Sequence, residues 1–311
     1  MATTSPESEL DSLLTEAPFS QDLKLDELSV HDLVVLMNDR DAAIAAAVRN
    51  ALPAITVAVE ATAQRMQAGG RLIYVGAGTS GRLGVLDASE VPPTFGTSPD
   101  VVIGLIAGGH AALVSSVESA EDSEEAGAND LAGLDIGPLD TVVGIASSGR
   151  TPYVLGALQL ATRRGALTVG LSCNANAALS AAAEHGIEII VGPELVSGST
   201  RLGAGTATKM VLNMFSTITM IRLGKTYKTL MVDVRATNAK LKRRAVRIVT
   251  QATGAGDERA LAVLESAGWH AKLAIAMIST GLAVDDAKSA LDAAGGVLGK
   301  IIETPRKGPS S

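Results

Sequence analysis

The chain has 311 residues, 47% of them hydrophobic but only 2% aromatic, and a net charge of −7. That length suits one large α/β domain with a smaller one beside it, the core must be built from Ala, Val, Leu and Ile, and the acidic balance argues against a nucleic-acid surface. The single cysteine, Cys173, cannot close an internal disulfide, and neither a basic-then-apolar leader nor an apolar run of about 20 residues is present, so a cytoplasmic protein without a membrane partner is expected.

Residues 1 to about 20 are polar, broken by Pro6 and Pro18, and read as a mobile arm. Ser29 is a candidate N-cap for a helix from Val30 to Asn38, and Asp39 to about Gln67 is an Ala-rich helical stretch interrupted by Pro53. Apolar strands then alternate with helical segments, the mark of a parallel sheet with helices on both faces. The strands are expected at 71–75, 101–106, 141–146, 167–172 and 187–191, and the helices at 80–90, 111–128, 152–164, 176–184 and 204–223. Val91-Pro92-Pro93 is expected to break the first of these helices. In such a sheet the ligand sits beyond the carboxyl ends of the strands.

Chemistry concentrates in the loops there. Gly76-Ala77-Gly78-Thr79-Ser80-Gly81 follows a buried apolar strand and opens a helix, which makes an anion site from free N–H groups and two hydroxyls. Its GxGxxG spacing also matches the dinucleotide fingerprint, but the second strand runs into Ala107-Gly108-Gly109-His110, with no acid to hold a ribose. A Walker loop is excluded because Arg82 follows Gly81 where a lysine is needed. The third strand ends in a second hydroxyl-rich loop, Ser147-Ser148-Gly149-Arg150-Thr151-Pro152, and Ser197-Gly198-Ser199-Thr200-Arg201 is a third. Taken singly, each is an ordinary helix-capping pattern. Three in succession point to a phosphate held from several sides by hydroxyls and N–H groups, without a metal.

These loops resemble those of the SIS (sugar isomerase) fold. More closely, GAGTSGRLGVLDASE, GLIAGG, SVESAEDSEEAG, ASSGRTPYV, VGPELVSGSTRLGAGTATKMVLNM and LMVDVRATNAKL are similar to the N-acetylmuramic acid 6-phosphate etherase family, from about residue 70 to 242, with a weaker helical match to about residue 303. The resemblance implies a flavodoxin-like, three-layer SIS domain over 55–235, preceded by an arm and helices over 1–54 and followed by a small helical bundle over 236–311. It implies a carbon–oxygen lyase that releases D-lactate from a phosphosugar substrate, acts as a homodimer and needs no cofactor.

By the same resemblance, Glu90 matches the proton donor to the departing lactate and Glu121 a second catalytic carboxylate, for proton abstraction or water activation. Thr79, Ser80, Ser147, Ser148 and Thr151 match phosphate contacts, with Ser199, Thr200, Glu194 and Lys209 as further contacts. By composition alone Glu121, among Glu118, Asp122, Glu124 and Glu125, is an ordinary surface acid. The family's Thr-Glu-x-Arg-Asn-Pro motif is met here by Thr15-Glu16-Ala17-Pro18-Phe19-Ser20, which lacks the Arg-Asn pair. A sugar-phosphate isomerase and a non-catalytic phosphosugar sensor are the alternatives on this fold.

The chain is helical after Val234. Lys240, Lys242, Arg243, Arg244 and Arg247 read as a solvated face. Ala262–Leu264, Ala274–Ile275 and Ala287–Leu291 form apolar seams of three helices separated by Gly268, Gly281 and Gly295-Gly296, similar to a ubiquitin-associated-type domain. The tail 304–311 reads as frayed. His31, His110, His185 and His270 share no ligand spacing, so no metal site is expected.

Overall fold

A computed structural model describes residues 13–302 apart from 116, 235 and 237. The expectations for the first part of the arm, 1–12, and for the tail, 304–311, lie outside the described residues. Two compact units divide the chain, Met1–Ser89 with Asp100–Ser216 and Glu90–Pro99 with Thr217–Ser311.

The first unit is built on a parallel five-stranded sheet, β1 (Leu72–Gly76), β2 (Val102–Ile106), β3 (Thr141–Ile145), β4 (Leu167–Ser172) and β5 (His185–Glu188), in the order β2-β1-β3-β4-β5. Leu72, Ile73, Tyr74 and Val75 are completely buried, because helices cover both faces of an all-parallel sheet. The fifth strand ends earlier than its apolar run suggested. Its pairing partner β4 ends at Ser172, which takes the Ile189 N–H as the last sheet bond.

Before the sheet come α1 (Val30–Asn50) and α2 (Leu52–Gln67). Ser29 caps α1, its hydroxyl accepting from the Asp32 N–H at 3.2 Å. Pro53 falls within the first two residues of α2, where it lacks no needed donor, and the chain bends by 63° between the two helices. Helix α3 (Gly78–Phe95) follows β1. It does not stop at Pro92-Pro93 as expected. The two prolines stand in its last turn, where their fixed φ is itself helical; they leave the carbonyls of Ala88 and Ser89 without their i+4 donors, and Ser89 is exposed.

The stretch expected to be one helix over 111–128 is divided. Two 3-10 turns, Gly109–Leu113 and Glu118–Ala120, precede α4 (Glu124–Ala132), which starts afresh where the Ser123 hydroxyl accepts from the Ala126 N–H. Helix α5 (Pro152–Arg163) packs on α4 at backbone distance. A Cβ on Gly127 would lie 1.8 Å from the Tyr153 carbonyl oxygen, and one on Gly156 would lie 2.0 Å from that of Glu124. The unit is completed by α6 (Ala178–Ala182) and most of α7 (Gly203–Arg222).

The second unit contains a short hairpin, β6 (Thr226–Tyr227) and β7 (Leu230–Met231), then α8 (Ala239–Thr253), α9 (Asp257–Ser266), α10 (Ala271–Thr280), α11 (Val284–Ala293) and α12 (Leu298–Ile302). Its core gathers Val232, Ile248, Leu264, Ile275, Ala287 and Leu298, so the expected seams face inward, apart from the exposed Ala262. Among the described residues no single helix is long and apolar enough to cross a membrane.

Candidate active site

Strand β1 has β2 on one side and β3 on the other, so the chain reverses its direction of travel across the sheet between β1 and β3, where open α/β sheets bind ligands. Gly76 pairs in register with Ile145, so the loops that follow these two strands leave side by side. The first puts Thr79, half-buried, and Ser80, almost buried, into the opening turn of α3.

The second loop is held from below. The Ser147 carbonyl accepts from the Cys173 N–H at 3.0 Å and from Asn174 Nδ2 at 2.9 Å. Gly149 has φ +71°, and a Cβ there would lie 2.4 Å from that of Ala177, so glycine is required on two counts. The first backbone donors of α5 are already used: Tyr153 N donates to the Glu121 carbonyl at 3.0 Å, and Val154 N and Leu155 N to that of Thr151 at 3.1 Å. Thr151 is the N-cap residue, yet its side chain makes no capping bond. With the donors of α5 used, this loop offers an anion its own residues, among them the hydroxyls of Ser147, Ser148 and Thr151, all half-buried.

The third segment comes next to the first. A Cβ on Gly205 would stand 3.5 Å from both the Thr200 carbonyl oxygen and Thr79 Cγ2. Glu194 has a different place from the one its family position suggested. It is fully buried, and its carboxylate accepts from the N–H groups of Gly203 at 2.9 Å and Ala204 at 2.8 Å. The start of α7 thus carries an internal anion, and a phosphate near Ser199 and Thr200 has to rely on their side chains.

The described part of the N-terminal arm is not loose. Thr15 is completely buried; its N–H donates to Asn174 Oδ1 at 3.4 Å, its hydroxyl accepts from Asn174 Nδ2 at 3.0 Å, and its carbonyl accepts from Gly198 N at 3.1 Å. Asn174 therefore joins the arm to the second loop, and Gly198 joins it to the third. The polar composition concealed this, because the apolar anchor is a single residue, Leu13, only 5% exposed.

Asp87 went unremarked in the sequence. It is 7% exposed and accepts from Tyr74 Oη at 2.9 Å, Asn213 Nδ2 at 2.6 Å and Ser216 Oγ at 3.1 Å. Burial raises its pKa, against the pull of those three donors and of Lys209, and burial beside Asp87 pushes the Tyr74 hydroxyl well up. Helical spacing held the clue: Gly84, Asp87, Val91 and Phe95 share the apolar side of α3. Glu90, one turn on from Asp87, is exposed and belongs to the second unit's segment. Glu121 is exposed in the first unit, and its backbone is fastened to the start of α5, directly after the second loop.

Residues 117–218 match the SIS domain, and residues 54–162 match the glucokinase regulatory protein N-terminal SIS domain. The fold and these loops define a SIS-domain protein. A phosphoheptose isomerase from Francisella tularensis shares that fold with a TM-score of 0.50 at 19% identity, over 62% of this chain and 100% of the other. Far more similar are curated proteins named N-acetylmuramic acid 6-phosphate etherase. The one from Streptomyces avermitilis is 59% identical over 89% of both chains, and that from Rubrobacter xylanophilus 54% identical over 96% of this chain and 98% of its own. That of Bacillus subtilis is 49% identical over 94% of this chain and 97% of its own. The chain belongs to the N-acetylmuramic acid 6-phosphate etherase family.

Proposed function

We propose that the protein cleaves the D-lactyl ether of N-acetylmuramic acid 6-phosphate, giving D-lactate and N-acetylglucosamine 6-phosphate in the recycling of cell-wall amino sugars. The observation that carries this reading is identity of 48–61% with etherases over most of the chain. An alkoxide is a poor leaving group, but in the open-chain sugar the C2 proton is acidified by the C1 aldehyde and the lactyl oxygen is β to it, on C3. A base takes the C2 proton, the electron pair forms the C2–C3 double bond, the C3–O bond breaks and the lactyl oxygen receives a proton. Water then adds at C3 and a proton returns to C2. Both steps need positioned proton carriers, a task suited to two carboxylates.

We assign those roles to Glu90, as proton donor to lactate, and Glu121, at C2 or on the water; this pairing rests on correspondence with the family. Thr79, Ser80, Ser147, Ser148 and Thr151 would hold the phosphate, with Ser199 and Thr200 on its far side. The convergence of the three loops on the end of the sheet supports that assignment. We further propose a cytoplasmic homodimer. Val30, Val34 and Met37 expose an apolar stripe along α1, at 78%, 61% and 43%, more than a lone surface helix usually leaves open. A monomeric mass by light scattering would remove the dimer. The division at 55 and 236 into arm, SIS domain and helical bundle is likewise ours; limited proteolysis that releases no fragment near those positions counts against it.

The test is D-lactate release in water enriched in heavy oxygen. Wild type should give unlabelled lactate and sugar labelled at C3, and Glu90→Gln and Glu121→Gln should each lower kcat by about 10²-fold or more. The match to a regulatory protein's SIS domain favours one other reading, a phosphosugar sensor. Folded wild type that binds N-acetylmuramic acid 6-phosphate and releases no lactate would establish it instead.

A further inference from the structure

The second unit contains a cavity of ≈ 520 Å³ lined in part by Lys225, Asp233, Trp269, His270 and Ala271. Two ammonium groups share one carboxylate oxygen at its wall. Lys272 Nζ lies 2.6 Å and Lys225 Nζ 3.3 Å from Asp233 Oδ2, with side chains 12%, 29% and 18% exposed for Lys272, Lys225 and Asp233. The cluster holds two positive charges against one negative, in a setting too enclosed for water to screen the surplus fully. Lys225 lines the cavity and makes the longer of the two contacts, so it is the ammonium with bonding capacity to spare. The wall also includes the start of α10, a ten-residue helix whose N-cap, His270, makes no side-chain capping bond and whose Lys272 N–H donates to the Val232 carbonyl at 3.0 Å. Its dipole adds positive potential of the same sign. Surplus cation, helix start and cavity coincide, and none of them involves the serine and threonine loops of the first unit.

We propose that this cavity is a second binding site, for a small oxyanion that completes the charge of the Lys225–Asp233–Lys272 cluster. Carboxylate and phosphate monoester satisfy the same donors, and the cavity is large enough for either on a small organic body. Asp233 keeps the two lysines apart and oriented, and Lys225 makes the charged contact with the ligand.

The chain's one tryptophan, Trp269, lines the cavity, so its emission reports occupancy directly. Wild-type protein is titrated with sodium D-lactate and, separately, with sodium phosphate, each against sodium chloride of equal ionic strength, with calorimetry on the same samples. A saturable change in emission and heat is expected for at least one of the two, lactate alone marking a carboxylate site and phosphate alone a phosphate site. Lys225→Met should weaken that binding about tenfold, the size of one charge-assisted hydrogen bond. Lys225→Arg should retain it, and circular dichroism establishes that both variants are folded. The site is refuted if neither anion gives a saturable response beyond chloride, if Lys225→Met binds like wild type, or if the response disappears instead in a Ser147→Ala, Ser148→Ala variant.

Discussion

Asp87 shows how much one side chain can decide. Tyr74 on β1 and Asn213 and Ser216 on α7 all donate to it, so it fixes the rotation of α3 about its axis, and Glu90 lies one turn further along that helix. Asp87→Asn turns one acceptor into a donor that faces other donors. The loss should be about 2–4 kcal/mol, read as a lower urea midpoint at unchanged m. The wild-type pH response has a definite sign. Burial raises the Asp87 pKa, so the folded protein holds this proton to higher pH than the unfolded chain. Stability therefore declines as pH rises from the ordinary carboxylate value to the raised one. The asparagine variant should lack that decline. Sequence reading singled out Glu90 through a family motif and passed over Asp87, because a buried acid has no composition signal; only its place in the helical period marks it.

At the scale of elements, what was legible followed from periodicity and capping. Four of the five strands were found within a residue of their ends because each is a short apolar run between glycine or polar breaks, and Ser29 was found as a cap by its position before a helical run. The misplaced features depend on tertiary partners. The start of α4 is set by Ser123 and by α5 lying against Gly127, Pro92 and Pro93 are admitted because they fall in a last turn, and Thr15 is ordered by Asn174, distant in sequence. Glu194 is the clearest case. An acid before a hydroxyl-rich loop looks like part of a ligand site, but its two bonds to Gly203 and Ala204 make it the cap of α7. Glu194→Ala should cost about 2 kcal/mol in thermal or urea unfolding. Added formate, a carboxylate of the right size for the vacated place, should return part of it, whereas chloride at equal ionic strength should not.

For the whole molecule, another carboxylate contributes to acid stability. Asp140 accepts from Arg71 N, Nε and Nη2 at 2.9, 3.1 and 2.8 Å and from Gly137 N at 2.9 Å, and joins the entry to β1 to the turn before β3. Burial alone would raise its pKa, but the bonds from Arg71 and the backbone outweigh this and bring it below the usual range. Its contribution is complete above the unfolded carboxylate pKa and is lost as pH falls through the folded one, opposite in sign to that of Asp87. Asp140→Asn should therefore flatten the acid limb of the stability profile measured by denaturant midpoints. Cys173, at the end of β4, has its thiol sealed in the core at 1% exposure and pushed up to about 12 by burial. A sulfur so placed keeps time for the fold: it reacts with a disulfide reagent only when the sheet opens, so with reagent in enough excess to outrun reclosing the pace of labelling is the pace of opening. Any sugar phosphate that braces the loop from Ser147, whose carbonyl holds the Cys173 amide, will slow that clock without touching the sulfur.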